Sequence, residues 1–74
     1  MPYIALYRIA LHYGMRAYTG DVRLCDIPET IATIAEIKQL ADSNLLMLTG
    51  SAQFDYLEIT SSGTQAIRDY ISNL

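Results

Sequence analysis

Apolar residues along this chain fall into blocks punctuated by Gly14, Gly20, Pro28, Gly50 and Gly63, and each block has its own period. The first, Tyr3 to Tyr13 (YIALYRIALHY), shows no strand-like alternation and follows Pro2, a residue tolerated at a helix start. It predicts a helix. Arg8 and His12 are its only charged or ionisable members apart from the tyrosines, and four residues apart they share one stripe. A helix that is apolar nearly all round is buried on more than one side. So short a chain has little material with which to wrap it, so Tyr3, Leu6, Tyr7, Ala10 and Leu11 are candidates for a dimer or partner surface.

Residues 15–27 (MRAYTGDVRLCDI) admit two readings. As a short helix, Thr19 caps it and Leu24 and Ile27 point inward. As a hairpin, Ala17–Thr19 pairs with Val22–Leu24 across a Gly20-Asp21 turn. Further on, Asp26 and Glu29 have the spacing of a capping box, with Pro28 in the first turn. Ile31, Ile34, Ile37, Leu40 and Ala41 then recur at helical spacing as far as Asn44, leaving Thr30, Thr33, Glu36 and Lys38 outside. Leu45 to Thr49 predicts a short strand, residues 50–53 a turn, and Phe54 to Ile59 the returning strand. Thr60 or Ser62 caps a last helix, the latter with Gln65 three residues on. Ala66, Ile67, Tyr70, Ile71 and Leu74 share its inward face, with Arg68 and Asp69 outside. The expected order is helix, short helix or strand, helix, β-hairpin, helix. That is a mainly α, α+β fold in one domain spanning residues 1–74.

Composition changes the picture in two ways. Half of the residues are hydrophobic (51%) and the mean hydropathy is +0.17, although a chain of 74 residues buries only about 60–70% of its unfolded surface. The surplus points to a homodimer or a tight protein partner. Five Lys/Arg against eight Asp/Glu give a net charge of −3, which is not the footprint of a general nucleic-acid binder. Cys25 is the only cysteine, which excludes an intrachain disulfide and favours a reducing, intracellular (cytoplasmic) setting. Without a flanking basic cluster it reads as a small apolar residue in or near the core. No signal peptide is visible, and the Tyr3–Tyr13 block is too short to cross a membrane.

The segment Leu40-Ala41-Asp42-Ser43-Asn44-Leu45-Leu46, then a hairpin, then Leu57-Glu58-Ile59-Thr60-Ser61-Ser62-Gly63 and an amphipathic helix, resembles the MarR- and PadR-like winged helix-turn-helix proteins. The likeness covers roughly residues 24–72. It implies a dimeric winged helix that meets duplex DNA through its recognition helix and wing. Arg8 and Arg68 are expected to face away from such a groove, which leaves Arg16, Arg23 and Lys38 as cations, with Thr30, Thr33, Gln39 and Gln53 as polar contacts. The chain departs from the family pattern at three places. The stretch between Leu24-Cys25 and Leu40 is a couple of residues short, so the second helix is minimal or replaced by a strand. The wing tip (Ser51, Ala52, Gln53, Asp55) offers no cation. The recognition helix has Lys38 as its single one.

Nothing indicates catalysis. There is one histidine, no HExxH, no phosphate-cradling glycine loop and no serine in a nucleophile elbow. The carboxylate pairs Asp26/Glu29 and Asp55/Glu58 are explained by helix capping and a solvated strand face, and His12 by a partner-facing or half-buried position beside Arg8. No metal or cofactor is expected. Two functions remain: a dimeric transcriptional regulator that binds duplex DNA weakly and salt-sensitively, or an acidic interaction module, adaptor or inhibitor, that docks on a protein. The six tyrosines suit the second, since tyrosine combines a large contact area with a polar tip.

Overall fold

The computed structural model describes residues 3–50 and 56–74. Helix α1 (Tyr3–Tyr13) is followed by a single turn of helix, α2 (Met15–Tyr18), with Gly14 between them at φ 57°, a conformation glycine adopts without the usual side-chain clash. Strand β1 (Val22–Arg23) runs into a 3-10 turn (Leu24–Asp26). Helix α3 (Ile34–Asp42), the strands β2 (Leu46–Thr49) and β3 (Tyr56–Ile59), and helix α4 (Ser61–Ser72) complete the order. The fold is α+β, with four helices and a three-stranded antiparallel sheet of order β1-β3-β2 among the described residues. Pro2, the turn at 51–53 and Phe54 as the start of the returning strand lie outside the described residues.

Neither reading of residues 15–27 holds as a whole: helix is confined to Met15–Tyr18, with Thr19 at its C-terminal end and Leu24 in the 3-10 turn, and the local hairpin does not form. Val22 pairs instead with Leu57, and Arg23 with Tyr56. The reason is burial: docked on β3, Val22 enters the core beside Leu57, while Ala17 is buried from its helix. A two-residue strand gains more from an existing pair of strands than from an isolated ribbon.

Helix α3 starts later than its apolar period implies. Asp26 and Glu29 do not cap it; residues 28–32 form a turn in which the amides of Ile31 and Ala32 donate to Pro28 O. Thr33 is the N-cap. Its Oγ1 accepts from Glu36 N at 3.2 Å, and Glu36 Oε1 accepts from Thr33 N at 2.9 Å, a complete capping box. Both sites fit the same four-residue pattern, and the unbroken Ile31–Ile34–Ile37 spacing hides which one is used. Removing the cap with Thr33→Ala is expected to cost about 1 kcal/mol, a drop of about 4–8 °C in Tm for a domain of this size. An unchanged thermal midpoint would mean that the helix does not depend on this start. At the other end Asn44, at φ 62°, lets Leu45 N donate back to Leu40 O at 2.9 Å, which closes the helix in the Schellman manner.

The sheet register sets Leu46 opposite Ile59 and Leu48 opposite Leu57. Side chains alternate across a strand, so these four join Val22 on the inner face while Met47, Glu58, Thr49, Tyr56 and Arg23 share the outer one. Against the inner face lie Ile37 and Leu40 of α3 and Ile67 of α4, with Ala5, Leu6 and Ile9 of α1 in the same cluster. Helix α1 touches α2, α3 and α4, and Tyr7 packs on Tyr70 with ring centroids 5.3 Å apart. The chain therefore does cover the inward side of α1, contrary to the expectation drawn from its short length. Three helices supply the wrapping.

Thr60, not Ser62, caps α4. Its Oγ1 accepts from Gly63 N at 3.0 Å and donates to Asn44 O at 2.6 Å, which ties the start of α4 to the end of α3. Ala66, Ile67 and Tyr70 face inward as expected, whereas Ile71 and Leu74 are exposed. Leu74 lies beyond the last packed turn and Ile71 at the margin of the inward stripe.

Candidate functional site

An open groove of about 840 Å³ lies between α3, the 3-10 turn and β2. Its walls are mainly apolar. Helix α3 contributes Ile34, Ile37, Lys38, Ala41 and Asp42, one continuous face at i, i+3, i+4, i+7 and i+8. Leu46, Met47 and Leu48 come from β2, and Arg23, Leu24 and Cys25 from the strand end and turn opposite. Ile37 and Leu46 form a closed floor, while Ile34 is 57% and Met47 47% exposed. Ile34 stands free for a local reason: capping at Thr33 makes it the first helical residue, ahead of the core turn at Ile37 and Leu40.

Of the expected DNA-contact residues, the fold brings Arg23 and Lys38 to this one groove and leaves Gln39 exposed beside Lys38 on α3. Thr30 is exposed in the preceding turn. Thr33 is half-buried and committed, together with Glu36, to the helix cap, so it does not offer a free side chain to a base. Arg16 is engaged elsewhere. Its Nη2 donates to Asp21 O at 3.3 Å and its guanidinium carbon lies 5.9 Å from the centroid of the Tyr13 ring. Tyr13 in turn donates from its hydroxyl to Asp26 O at 3.3 Å. Burial, aided by the Asp26 carboxylate and opposed by Arg16, pushes the Tyr13 hydroxyl above its ordinary pKa. Gln53 lies outside the described residues.

The expected partner surface on α1 splits in two. Leu6 is wholly buried, and Tyr7 and Ala10 are half-buried against the core, so Leu6 in particular is a core residue and not a docking residue. Tyr3 and Leu11 face outward. The outward stripe is Ile4, Arg8, Leu11, His12 and Met15, with Leu11 70% and Met15 75% exposed. His12 is exposed, with its ring edge-on to Tyr13 at 4.6 Å. Cys25 is also exposed and lines the groove, its thiol donating to Asp26 Oδ1 at 3.8 Å, which corrects its expected place in or near the core.

The exposed apolar residues Ile34 and Met47 were not legible as site residues. The signal that locates Ile34 is the second capping pattern, Thr33-x-x-Glu36, masked by the earlier one. For Met47 it is the alternation of β2, which opposes it to the polar Glu58. Among the described residues no three His, Cys, Asp or Glu side chains are arranged to hold a metal ion, and no helix is long and apolar enough to cross a membrane. No family model matches the chain, and no match is found among curated proteins or solved structures.

Proposed function

We propose that this chain is a non-enzymatic, winged-helix-like regulatory domain that docks a protein partner in the groove beside α3. The order of helix, strand, helix and antiparallel strand pair, with α3 set beside the sheet, is what supports the winged-helix comparison. The single observation behind the docking role is the groove itself: about 840 Å³, mainly apolar, with Ile34 and Met47 held out of the core at its rim. Exposed apolar side chains clustered in a concavity mark a binding surface.

Duplex DNA is the second reading, favoured by Arg23 and Lys38 in the same groove and by the exposed Gln39 on α3. Charge weighs against it. A well-anchored DNA binder makes about 6–10 phosphate contacts, and the groove offers two cations with Asp42 beside them. Arg16 is engaged with Asp21 and Tyr13. In the docking role, the homodimer expected from the sequence uses the outward α1 stripe around Leu11 and Met15.

The two readings separate in one pair of measurements. Anisotropy titration against a duplex pool at about 50 mM salt should show no binding. Salt-sensitive binding that Lys38→Ala weakens would replace the docking reading with the DNA reading. Affinity capture should recover a protein with the wild type and lose it with Ile34→Glu, a change at an exposed site that leaves the thermal midpoint close to wild type.

A further inference from the structure

The groove differs electrostatically from the rest of the molecule. The whole chain has a net charge of −3, yet two of its five Lys/Arg, Arg23 and Lys38, line this groove against one acid, Asp42. They come from different elements, β1 and α3. Neither side chain makes a hydrogen bond or an ion pair within the described residues. Leu24, Ile34, Ile37 and Leu48 line the same groove. A natural occupant therefore has to bring apolar side chains to the floor and negative charge to the rim.

The shape narrows the class. The α3 wall presents Ile34, Lys38 and Ala41 along two helical turns. A second helix laid alongside meets such a wall with its own i, i+3, i+4 and i+7 side chains.

We infer that the groove takes an acidic amphipathic helix of a partner protein, its apolar stripe on Ile34, Ile37 and Leu48 and its carboxylates on Arg23 and Lys38. The inference rests on the docking reading above and adds the chemistry of the partner to it. The two cations steer and orient the segment, while the apolar floor supplies most of the affinity. Docked in this way, the partner also occupies the α3 surface that the DNA reading would need.

The test uses the full chain and two sets of designed helical peptides about three turns long. Both sets have the same apolar residues at i, i+3, i+4 and i+7; one has Asp and Glu at the flanking positions, the other Lys and Arg. Anisotropy should show the acidic set binding about tenfold more tightly, the scale expected of two partly exposed ion pairs. The double variant Arg23→Glu/Lys38→Glu should reverse that order, and Ile34→Glu should abolish binding of both sets. Equal binding of the two sets, lost in Ile34→Glu, overturns the acidic partner while leaving the docking groove in place. Binding of neither set overturns the helix as occupant, and the capture experiment then judges the docking reading separately. Should light scattering show a dimer of the wild-type chain that Ile34→Glu dissociates, the occupant is a second copy and the inference fails.

Discussion

Gly63→Ala is expected to unfold this protein at moderate temperature, even though the same change inside an open helix stabilises by about 0.5–1 kcal/mol. Gly63 is buried in the first turn of α4. A methyl group there is driven into the backbone oxygen of Leu45, with Leu45 C at 2.9 Å and Ile59 Cγ2 at 2.8 Å. None of these neighbours can easily retreat. Leu45 N donates to Leu40 O in the α3 cap, and Leu45 O accepts from Thr60 N. Thr60 in turn is fastened to Asn44 O and to Gly63 N. The clash is thus between two backbones held by four hydrogen bonds. Overpacking of this kind costs about 3 kcal/mol or more. The whole fold of 74 residues has about 4–11 kcal/mol to lose. A fall in Tm of at least about 12 °C by circular dichroism is the expected result. A variant melting within a few degrees of wild type would show that α4 does not approach Leu45 so closely.

The second large effect separates two leucines of one helix. Leu6 and Leu11 were equivalent partner-surface candidates on sequence grounds, but the fold buries Leu6 completely and leaves Leu11 70% exposed. Leu6→Ala leaves a cavity between α1 and the rest of the core, at a cost of about 2–5 kcal/mol. Leu11→Glu is expected to change stability by no more than about 0.5 kcal/mol. Denaturant midpoints decide it: Leu6→Ala moves the midpoint strongly and Leu11→Glu hardly at all. In light scattering Leu11→Glu should also lower the mass of any α1-mediated dimer. If the midpoints shifted equally, α1 would not pack with Leu6 inward.

The two effects show which features the sequence exposes. Helix α1 spans Tyr3–Tyr13, the block defined by its apolar run, because helix-forming contacts join residues three and four apart. The end of α3 near Asn44 and a cap for α4 at Thr60 or Ser62 are likewise local, each written in a few consecutive residues, and the structure uses Thr60. The start of α3 was concealed because two overlapping capping patterns competed. The choice fell on Thr33, where the amide and side chain of Glu36 complete both bonds.

The candidate site was legible only in part. Lys38 and Arg23 could be picked out as scarce cations in an acidic chain, but nothing in their spacing places them on one groove. That placement depends on β1 pairing with β3, Val22 against Leu57, across more than thirty residues of chain.

By itself, then, the sequence determined the helical and extended segments outside residues 15–33, their order, an acidic composition and the scarcity of catalytic groups, all consequences of composition or of contacts within one or two turns. Only the tertiary structure decided which face of α1 is core, which strand Val22 joins, why residue 63 has no room for a side chain, and that Ile34 and Met47 stand beside Arg23 and Lys38. Each of these is set by which distant element covers a surface, and a periodic pattern records only that some surface needs covering.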